Sequence, residues 1–409
     1  MTDDREKLDN IRRNTVMLRA KPMIDSLITN LMTRAKDRPH IGRSLRERVY
    51  AGQAAYVIGA GPSLNKNISG LPWAQGSGQL VACNTAIGAL AKAGIRPDVA
   101  ICLESLNLSK QLEPHRGVPL EWLTVLTTNP ANWFDDGLWV GTDSPAEPTV
   151  VRKLGLEPLK YGPSATTACV ALALQLGANP IVLVGMDLSY PQGESAYAKD
   201  STWEGFRGTL DDEGKLIFSG REDRHQLHKE GGLRGIPTVH EPRQMKGWGD
   251  GPDVYTTFDM IGQMNWFSAV AKSRPDVTFL NATEGGAHVP GWQDVSLRHA
   301  WASRPVADRR SLSRDAVKHE GWQAAVDETL RQCAVAKRSA RLFQTLDLSA
   351  LEPALESLWT PTPMVDLLAW GAILEMQASA MARKAKIVAT YDIIHEAAEY
   401  IEKRIRSYL

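Results

Sequence analysis

The sequence predicts an α/β protein whose mostly parallel sheet carries helical additions at both ends, and three observations support that prediction. Short apolar runs recur at 54–58, 79–83, 99–103, 123–128, 181–184 and 277–280, bounded by Gly, Pro or polar residues, as strands covered on both faces should be. Between them lie stretches with helical character, above all 165–176, so that strand and helix alternate. The runs end on Gly59-Ala60-Gly61, Asn84, Glu104, Asn129 and Asp187. In a parallel sheet those ends share one rim, where α/β proteins bind ligands.

Composition narrows the function classes. The 409 residues are 43% hydrophobic and 23% charged, ordinary for a globular protein of two or three domains. Lys plus Arg and Asp plus Glu both number 47, which speaks against nucleic acid or an anionic membrane as main partner. The first residues lack the apolar run of a signal peptide and no apolar stretch is long enough to span a bilayer, so a cytoplasmic protein is expected. Cys83, Cys102, Cys169 and Cys333 are widely spaced and read as buried free thiols, not as metal ligands.

In order, residues 1–50 form an N-terminal helical segment, with Leu8, Ile11, Ile24, Leu27, Ile28 and Leu31 at roughly helical spacing. Residues 51–300 form the sheet domain. Its first strand, Ala54 to Ile58, runs into Gly59-Ala60-Gly61-Pro62-Ser63-Leu64. Two glycines there permit a tight turn and close approach to the backbone, although Leu64 replaces the third glycine of the dinucleotide signature. The second strand ends at Asn84, the third at Glu104 and the fourth at Asn129. Ser164 is placed to cap the helix from Ala165 to Leu176, so its free N–H groups would face the same crevice as Asp187, a seat for phosphate or carboxylate.

The region 189–252 is too long for a passive connector and reads as a lid, a substrate-binding insertion or a partly disordered loop. His225 and His228 within it have the spacing of a metal pair but no third ligand nearby, and no metal site is predicted. A helix is expected over Phe258 to Lys272, with Ile261, Met264, Trp266, Phe267 and Val270 largely inward, then a last strand at Val277 to Leu280 and the turn Asn281 to Ala287. Residues 301–409 read as a helical module, with a final helix opened by Pro361 and Pro363 and reaching about residue 405. Leu367, Leu368, Trp370, Ile373, Leu374 and Met376 would pack on another helix or a sister subunit, which leaves a homo-oligomer open.

Five motifs then stand in order: Gly59-Ala60-Gly61-Pro62-Ser63-Leu64, Cys83-Asn84, Gly162-Pro163-Ser164-Ala165-Thr166-Thr167, Val184-Gly185-Met186-Asp187-Leu188-Ser189-Tyr190 and Asn281-Ala282-Thr283-Glu284-Gly285-Gly286. Together, over about residues 50–292, they resemble the motility accessory factor (Maf) family, which is grouped with MptE-type 6-hydroxymethylpterin diphosphokinases and is similar to bacterial sialyltransferases. The resemblance implies a Rossmann-like domain that binds a nucleotide. Its activity would be glycosyl transfer from a CMP-linked nonulosonic acid, with a flagellin-like protein as acceptor, or alternatively pyrophosphoryl transfer from ATP and magnesium to a pterin. A non-catalytic nucleotide-sugar-binding scaffold is a third alternative. No cofactor apart from the donor is expected.

By the same resemblance Gly59, Gly61, Ser63 and Asn84 would hold the nucleotide, Ser164 and Thr166 would meet its phosphate or the sugar carboxylate, and Asp187 would stand beside the reacting end. Pro62, Glu104, Asn129 and Ala165, at the same strand ends and helix start, join the binding candidates. Two departures are visible. Glu104 stands where Maf proteins usually have Asp and sialyltransferases Asn, and Val254 to Asp259 lacks the histidine that sialyltransferases carry there. A group that takes the acceptor proton must come from elsewhere on the rim. His288 and His240 are candidates, and Glu284 could orient His288 or act as base itself.

Overall fold

The computed structural model describes residues 24–25, 27–29, 31–32, 41–103, 122–125, 138–139, 141–143, 147–220, 239–302, 304–308, 310–312, 319–345 and 383–408. Its centre is an eight-stranded sheet built, in chain order, from β1 (Ala54–Ile58), β2 (Gly78–Cys83), β3 (Val99–Leu103), β4 (Trp122–Val125), β5 (Leu138–Trp139), β6 (Ile181–Val184), β12 (Phe279–Asn281) and β13 (Gln293–Asp294). Across the sheet they lie in the order β13-β12-β6-β1-β2-β3-β4-β5, parallel throughout. The α/β, Rossmann-like architecture expected from the sequence is thus present.

Strands β1, β2 and β6 are buried along their whole length. Covered faces explain why they read as unbroken apolar runs and not as alternating ones. β5 and β13 escaped the sequence reading because two residues each show no periodicity. The last long strand lies one to two residues later than its apolar run suggested, because β12 begins at Phe279 and includes Asn281.

The insertion between β6 and β12 has structure of its own. β7 (Arg207–Leu210), β8 (Leu216–Ser219) and β9 (Val239–His240) make an antiparallel sheet, and β10 (Arg243–Met245) pairs with β11 (Val254–Thr256). Tyr190, Ala196, Phe206, Leu216 and Phe218 form a small separate core beneath it. His225 and His228 lie outside the described residues, as do Pro361, Pro363 and the apolar residues 367–376.

The helices are α1 (Gly42–Glu47), α2 (Leu64–Asn67), α3 (Leu71–Ser77), α4 (Ile87–Lys92), α5 (Glu147–Lys153), α6 (Ala165–Gln175), α7 (Phe258–Ser273), α8 (Leu297–Ala302), α9 (His319–Thr345) and α10 (Arg383–Arg406). α6 packs over β1, β2 and β3 and touches β6 and α7, so residues 167–173 are all buried and the helix is apolar all round. α7 turns Met264 and Phe267 fully inward, while Ile261, Trp266 and Val270 are half-buried.

The terminal regions meet. Ile24, Leu27, Ile28 and Leu31 pack with Trp322, Val326, Ile394 and Ile401 and with Val150, Val151 and Leu154 of the α5 region. Trp322 Nε1 donates to the Leu31 carbonyl at 2.8 Å and Tyr400 Oη to Asp25 Oδ1 at 2.5 Å. Apolar stripes at opposite ends of the chain therefore cover each other. No helix among the described residues is long and apolar enough to cross a membrane.

Candidate functional site

Strand order reverses between β1 and β6: the chain goes from β1 to β2 on one side and from β6 to β12 on the other. The crevice at such a switch point is where open α/β sheets bind ligands. Here the two strand ends are tied together, because Gly59 N donates to the Val184 carbonyl and Gly61 N to the Gly185 carbonyl, both at 2.8 Å. That pairing swings Pro62 and Ser63 over Asp187.

The Asp187 carboxylate receives Ser63 Oγ at 2.7 Å on Oδ2 and Ser63 N at 3.2 and 3.3 Å on its two oxygens. Asp187 is 6% exposed. Burial pushes its carboxyl up to about 6, against the Ser63 hydrogen bonds and the Lys66 charge, which both pull it down. A Cβ on Gly61 would overlap Oδ2 and stand 2.7 Å from Asp187 Cγ. What this glycine lets approach is therefore the Asp187 carboxylate itself.

A second turn closes on Asp187 from the β12 side. Ala287 N donates to the Asp187 carbonyl at 2.7 Å, and Gly286, at φ +69°, lies so close to the Asp187 backbone that a Cβ there would overlap it. Leu188 and Glu284 sit in the left-handed region at φ +49° and +57°. Such backbone costs on the order of 1–3 kcal/mol per residue and gathers at functional sites. The Leu188 carbonyl is held by Thr256 Oγ1 at 2.7 Å, in the segment where sialyltransferases carry histidine.

Glu284 engages its carboxylate at the start of α8. Its Oε1 accepts from Leu297 N at 2.6 Å, at the start of α8, and its carbonyl accepts from Lys66 Nζ. Asn67 Nδ2 fastens the same turn by donating to the carbonyls of Ala282 and Thr283 at 2.9 and 3.0 Å. Glu284 thus serves as a helix cap across the turn.

α6 leads down into β6, so it runs opposite to the strands and its first turn lies on the carboxyl rim. Ser164 and Thr167 form a reciprocal capping box, and Ser164 Oγ lies 2.8 Å from Thr166 Oγ1. Ala165 and Thr166 follow at the amino end of the helix. Asn84 is half-buried at the end of β2, and its side chain has no hydrogen-bond partner among the described residues. The insertion reaches across these ends, for Ala198 N donates to the Ala60 carbonyl at 2.9 Å, Lys199 N to Asn65 Oδ1 at 2.9 Å and Thr202 N to the Thr85 carbonyl at 3.3 Å. Glu104 and Asn129 lie outside the described residues.

His288 is held at the β12–β13 edge. Its Nδ1 stands 2.6 Å from Asp294 Oδ2, which also accepts Gly249 N at 2.9 Å, while Asp294 Oδ1 accepts Asn281 Nδ2 at 2.9 Å. The sequence reading missed Asp294, which only the parallel register of Asn281 with Asp294 brings to His288. His240 lies in β9 with its ring 4.8 Å from that of Phe218, as part of the insertion's aromatic packing. The four cysteines are all buried, as the sequence implied. Among the described residues no group of three His, Cys, Asp or Glu is placed to hold a metal ion.

Comparison with known proteins places these features. Residues 25–193 match the model of the family described as 6-hydroxymethylpterin diphosphokinase MptE-like. No curated protein matches the chain. Among solved structures, the Maf glycosyltransferase from Magnetospirillum magneticum AMB-1 is similar, with a TM-score of 0.59 at 15% identity over 94% of this chain. This chain spans 58% of that one's length, and at such identity the likeness is one of fold. The family match takes in the Gly59 turn, Asn84, the α6 cap and Asp187, so the part of the chain that carries these features is similar to the MptE-like family.

Proposed function

We propose that this protein is a Maf-type glycosyltransferase that takes a CMP-linked nonulosonic acid as donor and passes the sugar to a hydroxyl of a protein acceptor of the flagellin kind. The observation that carries the proposal is the buried Asp187 carboxyl with its raised pKa, held by Ser63 at the β1–β6 switch point. Strongly perturbed carboxyls in such crevices mark functional sites. The donor nucleotide would lie along the strand ends at Gly59, Gly61, Pro62, Ser63, Asn84, Glu104 and Asn129. Ser164, Ala165 and Thr166 would meet its phosphate or the sugar carboxylate, since a helix amino end favours anions.

In the transfer, the bond between the anomeric carbon and the phosphate oxygen breaks and CMP leaves with the electron pair. The acceptor oxygen bonds to that carbon, and its proton passes to His288. Asp187, with its pKa raised to about 6, stands by the leaving group's end of the site.

The family description favours a second reading, pyrophosphoryl transfer from ATP to a pterin. Magnesium in that reaction takes carboxylate oxygens, waters and substrate phosphates. Ser63 engages both oxygens of Asp187 and Leu297 N engages Oε1 of Glu284, which leaves Glu284 Oε2 as the oxygen such an ion would take.

The test is calorimetric titration with CMP and with ATP plus magnesium, followed by incubation with a CMP-nonulosonic acid donor and a flagellin acceptor. CMP binding with CMP release and a mass gain on the acceptor supports sugar transfer. Diphosphate transfer to 6-hydroxymethylpterin selects the second reading. Binding of CMP with neither reaction leaves a nucleotide-sugar-binding scaffold, and binding of neither nucleotide defeats all three.

A further inference from the structure

We propose that Asp294 is a positioning residue that holds His288 in the tautomer with its proton on Nδ1, so that Nε2 is a ready proton acceptor on the rim. For its effect on rate the inference rests on the sugar-transfer reading. For its effect on the imidazole it does not.

The arrangement is built from three separate segments. Asp294 comes from β13, Asn281 from the end of β12, and Gly249 from the loop before β11. Asn281 Nδ2 and Gly249 N fix the carboxylate with one donor on each oxygen, leaving Oδ2 to receive the ring at 2.6 Å. The loop is fixed in turn, because Trp248 Nε1 donates to the Asn281 carbonyl at 2.9 Å and Trp248 N to the Gly286 carbonyl at 2.9 Å. The backbone of His288 is anchored by its own N–H to the Lys246 carbonyl at 2.9 Å.

A carboxylate accepts hydrogen bonds and donates none when ionised, so a ring nitrogen facing it must carry the proton. The other nitrogen of a neutral imidazole then keeps its lone pair. His288 Nε2 has no partner among the described residues, and the side chain is 27% exposed against 12% for Asp294. His288 follows Gly286 by two residues, and Gly286 packs on the Asp187 backbone, so the free nitrogen belongs to the turn that closes over Asp187. An ordinary surface ion pair would not need its carboxylate fixed from two other segments. Residues 25–193 of the family match contain neither partner, so nothing in that match assigns them a role.

The test uses the full chain with ¹⁵N-labelled histidine. Nine histidines are present, so the His288 signals are assigned by their loss in His288→Gln. Long-range ¹H–¹⁵N spectra above the titration range are expected to show the Nδ1–H form in the wild type and the Nε2–H form, which unpartnered imidazole favours, in Asp294→Ala. Transfer by Asp294→Ala is expected to fall about 10²-fold in kcat, with donor KM and CMP affinity within about twofold. The double variant with His288→Ala should be no slower than His288→Ala alone, as for residues that act as one unit. If Asp294→Ala unfolds, Asp294→Asn carries the same test, since it keeps the shape but loses the charge and one of the two acceptor oxygens that Asn281, Gly249 and the ring share. An Nε2–H form in the wild type overturns the proposal, as does wild-type turnover in the folded variant. A wild type that transfers no sugar at all removes the sugar-transfer reading and leaves the tautomer to decide the rest.

Discussion

Asp187 lies at the switch point between β1 and β6, 6% exposed, with both carboxylate oxygens receiving donors from Ser63, whereas the His288 ring stands at the β12–β13 edge, 27% exposed, with one nitrogen held by Asp294. Both groups occupy the carboxyl rim and both belong to loops that touch each other. The first is tuned by loss of water, which keeps a proton on a carboxyl at a pH where it would normally be gone. The second is tuned by orientation, which decides which nitrogen can take a proton. Desolvation and direction are separate means by which a fold can prepare an acid and a base.

The largest expected effect tests the crowding around Asp187. Gly61→Val would place a Cβ 2.7 Å from Asp187 Cγ and 2.9 Å from the Gly185 carbonyl oxygen, both backed by a packed core. Overpacking of this kind costs about 3 kcal/mol. Urea unfolding should show that loss together with loss of CMP binding, and a variant as stable as the wild type would mean that Asp187 does not require a glycine here.

Asp187→Asn separates charge from shape. The folded protein keeps the Asp187 proton up to about pH 6, while the unfolded chain releases it near the ordinary value of 3.8. Between those values the folded state binds more protons, so stability falls as pH rises through the window. About two pKa units correspond to roughly 3 kcal/mol. Asparagine has no such loss, so the variant should gain on the wild type between about pH 4 and pH 6 and hold a constant difference above and below. Melting curves that run parallel across this range would show that burial does not perturb the carboxyl. If Asp187 acts in transfer, the same variant should turn over far more slowly while melting higher above the window.

A smaller effect is expected from Glu284→Gln. The glutamine keeps an oxygen for Leu297 N but loses the charge facing the amino end of α8, worth about 0.5–1 kcal/mol. Its transfer rate should stay near wild type. A loss of about 10²-fold would move the base from His288 to Glu284 and leave the imidazole without its part in the pair.

The smallest effect belongs to His240→Ala. The ring contact with Phe218 accounts for about 1 kcal/mol, and transfer should change less than about twofold. A large loss of rate with intact folding would return His240 to the site.

The apolar runs at 54–58, 79–83 and 99–103 became β1, β2 and β3, and the cap at Ser164 was readable from the residues alone. These signals are local, since strand burial and helix capping are written in residues a few positions apart. Asp187 was legible for the same reason, as the polar residue after a buried strand. The directions of the side chains were not. Glu284 was read as a partner of His288 or as a base, and in the fold its Oε1 caps α8 at Leu297 N.

By itself the sequence determined the buried strands β1, β2, β3 and β6 and the capped helix α6, and that Asp187 would stand where β6 leaves the sheet. Tertiary structure alone decided that β1 lies against β6, so that Ser63 meets a carboxylate 124 residues away. It alone decided that β13 joins β12 in the register that gives His288 its Asp294. Periodicity records which face of an element is buried, but partners across a sheet depend on strand order and register, and no local pattern in this chain carries either.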